Sequence, residues 1–101
     1  MNWEICNQKM NPKEEQTIID FVNAFIIADP FFKTLTKKEQ RETKRTFVLV
    51  MRAMYVANNY KNVIPVLYTK TYSAAETIKA AIEKIAFVMP GADKIRIIVT
   101  H

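Results

Sequence analysis

A single glycine, Gly91, in a chain of 101 residues limits what this sequence can fold into. Glycine takes left-handed backbone at no steric cost, so tight reversals and glycine-rich phosphate loops are almost closed to this chain. What remains is a set of regular elements joined by short connections. Half of the residues are hydrophobic and a quarter are charged, a balance that supports a packed core rather than disorder. The length suits one globular domain over residues 1–101, with room for one core and not for two.

Helix starts are written three times as a capping box, in which a side-chain acceptor is followed three residues later by a glutamate that reaches back. Asn11-Pro12-Lys13-Glu14 opens the first, with Pro12 where its missing amide costs nothing. Thr36-Lys37-Lys38-Glu39 opens the second, and Ser73-Ala74-Ala75-Glu76 opens the last. Asp29-Pro30 starts a short extra turn running to Leu35. At about 100° per residue, residues 12–28 place Ile18, Ile19, Phe21, Val22, Phe25, Ile26 and Ala28 on one side, with Lys13, Gln16, Asp20 and Asn23 opposite. In the last helix Ile78, Ala81, Ile82, Ile85 and Met89 share a face, and Pro90-Gly91-Ala92-Asp93 ends it.

Residues 63–72 and 94–100 read as strands, because the former is rich in β-branched and aromatic side chains and the latter alternates in part with period two. Pro65 places the start of the former at an edge or at an entry position. A helix between two such segments makes a βαβ unit, which favours a parallel, right-handed pair. Residues 2–6, with Trp3 and Ile5 alternating, supply the expectation of a third strand. The fold class is therefore α+β: three to four helices packed on a small two- or three-stranded sheet, with a C-terminal βαβ unit.

The whole net charge of +5 resides in residues 33–52, where Lys33, Lys37, Lys38, Arg41, Lys44, Arg45 and Arg52 face only Glu39 and Glu42. On a helix over residues 37–60, Phe47, Val50, Met51, Ala53, Met54 and Ala57 form an apolar side. Lys37, Lys38, Arg41, Lys44, Arg45 and Arg52 fall opposite, within an arc of roughly 120°, and Tyr55 shares that arc. Lysines at a helix start oppose the positive end of the macrodipole, so helix stability alone does not explain them. A row of long cations about a turn apart can follow the phosphate backbone of DNA or RNA while releasing counterions, and Tyr55 offers a stacking surface. The same stripe also suits a solvated helix face or an acidic protein surface. No zinc finger, aromatic RNP-type strand or glycine-containing helix-turn-helix turn is present, so contact with nucleic acid is expected at the phosphates.

A second candidate lies where the 63–72 strand meets the last helix. Lys70, Thr71 and Ser73 together with unpaired amides could hold a small anion, although capping by Ser73 and the strand preference of threonine explain the same residues. Catalysis lacks its usual parts. His101 is the only histidine, Cys6 is the only cysteine, and Glu14, Glu15 and Asp20 lie along one helix, where the first two serve as capping and dipole charges. No enzyme activity, metal site or cofactor is implied, and one cysteine permits no intrachain disulfide. Residues 1–10 lack an apolar signal core, and the longest apolar run, 47–57, is cut by Arg52, so a cytoplasmic protein without membrane contact is expected.

Three functional readings follow. The first is a non-enzymatic accessory protein that presents the basic helix to nucleic acid, as a homodimer that doubles the contact length. The second is a protein-interaction module, such as a small inhibitor, adaptor or assembly subunit, acting through a hydrophobic or mixed surface. It is motivated by Phe31, Phe32, Tyr55, Tyr60, Tyr68 and Tyr72, a surplus over what the amphipathic faces need. A small-ligand sensor built on the turn around Lys70 is a third.

Overall fold

A computed structural model describes residues 11–60 and 62–100. Three helices, α1 (Pro12–Ile27), α2 (Lys37–Asn59) and α3 (Tyr72–Ala86), pack with two short strands, β1 (Val66–Thr69) and β2 (Arg96–Val99). Single 3₁₀ turns, Phe32–Thr34 and Ala92–Lys94, lie in the connections before α2 and β2. The strands pair in parallel, from Val66 opposite Arg96 to Thr69 opposite Val99, with α3 as the connection. This is the expected α+β fold with its C-terminal βαβ unit. The third strand expected over residues 2–6 lies outside the described residues.

The first two capping boxes form as written. Asn11 Oδ1 accepts from the Glu14 amide at 2.8 Å and Glu14 answers to the Asn11 amide. Thr36 and Glu39 repeat the exchange at the head of α2. The third box does not form. Thr71, not Ser73, caps α3, accepting from the Ala74 amide at 3.0 Å. Ser73 already sits inside the helix, where its carbonyl accepts from the Thr77 hydroxyl, and Glu76 pairs with Lys79 instead of reaching back. Thr71 wins because the chain leaves β1 extended and Thr71 keeps that geometry, so its hydroxyl is the one that meets the free amides. The far end of α3 also stops early, at Ala86, since Pro90 disfavours helical backbone at Met89.

Both strands are shorter than their sequence patterns. Pro65 has no amide to donate, although its carbonyl still accepts from the Arg96 amide at 3.0 Å. At the other end Thr69 is the last paired residue, its carbonyl accepting from the Thr100 amide at 2.7 Å.

The core gathers around the second half of α2, where Val50, Met51, Ala53, Met54, Val56 and Ala57 are all essentially without exposure. Val56 shares the angular sector of the cations, yet it is buried, because that sector turns from solvent to packed surroundings along the helix. Ile18, Val22 and Ile26 of α1 cover one flank, with the Phe25 and Phe47 rings tilted at 5.5 Å between centroids. The buried stripe of α1 is narrower than its wheel: Ile19, Phe21 and Ala28 face solvent. Ile78, Ala81, Ile82 and Ile85 of α3 and Leu67 of β1 complete the core. Burying side chains of this size contributes about 1.5–3 kcal/mol each before the entropy of ordering is set against it.

The end of α2 is tied to the connection before β2 from both sides. Lys94 Nζ donates to the Ala57 carbonyl at 3.3 Å and Asn58 donates to the Pro90 carbonyl at 2.8 Å. Between them Gly91 takes φ +113, against the end of α2. A cation at the negative end of the helix dipole is favourable there. Among the described residues no helix is long and apolar enough to cross a membrane.

Candidate nucleic-acid interface

Helix α2 is divided along its length as well as around its axis. Its second half is the hub of the core, whereas its first two and a half turns contribute no buried residue, and Lys37, Lys38, Arg41, Lys44 and Arg45 are all exposed. Those five span about 12 Å of helix axis. Among the described residues no ion pair or hydrogen bond ties up any of these side chains. Lys33, exposed on the preceding 3₁₀ turn, continues the positive surface.

Arg52 and Tyr55 share the same angular sector but not the same surroundings. Arg52 is ion-paired with Glu15 of α1, both side chains being about one-third exposed at 33% and 30%. Tyr55 Oη donates to Glu14 Oε2 at 2.7 Å. Helix α1 runs antiparallel to α2 and lays its acidic first turn on these two residues, so they clamp one helix to the other. The expected row of six cations is therefore five, and Tyr55 is not a free stacking surface. The hydrogen bond from Tyr55, foremost, with those from the Asn11 amide and Tyr60, holds the Glu14 carboxyl below its usual value of 4.5 against a smaller opposing effect of burial. Tyr55 is pushed above 10.0 by the same contact, then by burial.

The two acids of the charged segment turn away from the stripe. Glu39 is engaged in the cap, where the Thr36 amide and then the Thr36 hydroxyl keep its carboxyl below 4.5. Glu39 and Glu42 line a separate groove between α2 and α3, floored by Phe47 and Ala81. Because the cap consumes the Glu39 amide, the positive face owes its character to side chains more than to free backbone donors.

A groove of about 470 Å³ opens beside the cations, lined by Phe32, Lys37, Gln40, Arg41 and Lys44. Its floor comes from outside α2. Gln40 Nε2 donates to the carbonyls of Phe32 and Leu35, at 3.2 and 3.3 Å, and so straps the 3₁₀ turn against the helix. The turn is fixed from its other end by Asp29, whose Oδ1 accepts from the Phe31 amide at 2.9 Å, and by Thr34, which donates to the Phe31 carbonyl. Phe32 and Gln40 were not visible as partners of the stripe in the sequence. The available signal was two adjacent phenylalanines a few residues ahead of a basic helix, and it does not say on which side of that helix they land.

The second candidate is held together only in part. Lys70 is exposed, the Thr71 hydroxyl is engaged as the α3 cap, and Ser73 lies exposed in the first turn. Nearby, the Thr69 hydroxyl is buried without a hydrogen-bond partner among the described residues. Both grooves described above border α2 rather than this turn. Among the described residues no group of three histidine, cysteine, aspartate or glutamate side chains is arranged to hold a metal ion. In comparison with known proteins, the chain matches no family model, no curated protein and no solved structure.

Proposed function

We propose that this protein is a non-enzymatic nucleic-acid-binding protein that grips the phosphate backbone with the N-terminal half of α2. The observation that carries the reading is the set of five exposed cations, Lys37, Lys38, Arg41, Lys44 and Arg45, without a carboxylate partner among the described residues. Five long cations cost little to leave in water, but they release counterions when phosphates replace them. Full engagement of all five gives a salt slope of about −3.5 on a single strand, or about a hundredfold loss of affinity for a fourfold rise in salt. The reading places the protein in the cytoplasm, where nucleic acid and a lone thiol such as Cys6 both reside.

Fluorescence anisotropy with labelled oligonucleotides of generic sequence at low salt tests the proposal. Binding that disappears in the charge-reversed variant R41E/K44E/R45E, with its circular dichroism spectrum unchanged, supports it. Absence of binding at low salt, or binding indifferent to the charge reversal, overturns it.

A second reading is favoured by apolar exposure away from the stripe. Phe87 is 91% exposed, with Val88 beside it and Ile64 before β1 also open. Such a surface suits a protein-interaction module or a homo-oligomer. Light scattering on the eluting protein decides it, since a monomer at high concentration removes the homo-oligomeric form.

A further inference from the structure

Resting on the backbone-binding reading, we infer that the groove beside the cations takes a nucleobase, which makes this surface selective for single-stranded nucleic acid over duplex. A surface that touched only phosphates would favour the opposite. Duplex DNA carries one charge per about 1.7 Å of axis, twice the density of either strand alone, so a bare cationic row gains more from the duplex. Something else on the surface must reward unpaired bases if the order is to be reversed.

Phe32 meets that need. Half-buried against the core, it lines the groove together with Lys37, Arg41 and Lys44, so an aromatic side chain and three cations border one space of about 470 Å³. The groove is open along much of its length, so a flat base can lie against its wall without being enclosed. Lys37, Arg41 and Lys44 recur at intervals of four and three residues, which keeps them on one side of α2 over about 10 Å. Phosphates can run along that row while a base turns inward onto the ring. In a duplex both faces of each base are already stacked, and none is free to enter.

The ring is also held ready. Gln40 fixes the Phe32 carbonyl, and Asp29 fixes the amide of Phe31, so little order has to be imposed when a base arrives. Phe31, 70% exposed on the same turn, is a second aromatic surface for a neighbouring base. Stacking is tolerant of base identity, and the groove has one neutral side-chain acceptor, Gln40 Oε1, so preference among sequences is weak. The occupant is thus a flexible, unpaired strand of DNA or RNA.

The test compares three ligands on the full chain at one salt concentration, with an acidic peptide alongside: oligothymidylate of about 15 nucleotides, an abasic strand of equal length, and a blunt duplex. The expected order has the single strand tightest by about tenfold, as one stacked base provides, with the abasic strand falling to the duplex level or below. Phe32→Ala and Phe31→Ala lose the preference while keeping duplex binding, and Phe32→Tyr retains it. Because the abasic comparison needs no variant, misfolding of Phe32→Ala does not blunt the test. Equal affinity for the three ligands overturns the single-strand inference and leaves backbone binding standing. Tighter binding of an acidic peptide than of any oligonucleotide overturns the inference as well. Failure to bind any oligonucleotide removes both.

Discussion

Replacing Arg52 by alanine should separate folding from binding within one helix. The side chain is two-thirds covered and paired with Glu15, which is covered to a similar degree. Residual solvent screening limits the pair itself to about 1 kcal/mol. Loss of the packed aliphatic stem raises the cost of truncation to about 1.5 kcal/mol. At about 4–8 °C per kcal/mol for a domain of this size, the melting temperature falls by about 6–12 °C. A double-mutant cycle through Arg52→Ala, Glu15→Ala and the pair should return the coupling of about 1 kcal/mol, because the two residues are in direct contact. The same Arg52→Ala variant should bind oligonucleotide with an unchanged salt slope, whereas Arg45→Ala should flatten the slope by about 0.7 and leave the melting temperature nearly alone. If Arg52→Ala weakens binding as much as Arg45→Ala and melts like the wild type, Arg52 belongs to the interface and the division of α2 into two halves is wrong.

Three more expectations follow from local geometry. Thr71→Ala should cost about 1 kcal/mol in urea denaturation and Ser73→Ala less than about 0.5 kcal/mol, since only the former caps α3; equal losses would contradict that assignment. Gly91→Ala should cost about 2–3 kcal/mol by the same measurement, because φ +113 strains any side chain and the new Cβ would stand 3.0 Å from the Ala57 Cβ; a neutral effect would mean that the turn relaxes freely. The Glu14 carboxyl, held below 4.5, lends stability that is complete above that value and is lost as pH falls through the lower folded value; Tyr55→Phe should flatten this acid limb of the urea midpoint, and parallel curves would refute the contact.

The capping boxes at Asn11 and Thr36 could be read in the sequence because each depends on four consecutive residues and nothing else. The apolar side of the second helix, from Phe47 to Ala57, was equally legible, since burial there follows the helical period. The cap of α3 was not. Whether Thr71 or Ser73 does the capping depends on where β1 ends, and β1 ends where its pairing with the chain around Thr100 runs out. The wheel likewise put Arg52 and Tyr55 with the other cations because it records direction and not neighbours. Only the position of α1 shows that Glu14 and Glu15 meet them. Phe32 was counted as surplus apolar surface for the converse reason: a glutamine eight residues onward brings it to the cationic side, and no local pattern encodes that distance.

Because the five cationic side chains of α2 point away from the residues that hold the domain together, this rod can be edited at those positions with little effect on its packed end. Exposed positions such as Lys38, Arg41 and Arg45 are free to drift in identity under selection for a different ligand, while Met51 and Met54 are constrained by packing alone. A library seeking altered affinity therefore belongs at Lys37, Lys38, Arg41, Lys44 and Arg45, with the capping Glu39 and the strapping Gln40 kept in place. Hits recovered there should need no compensating repair of the scaffold.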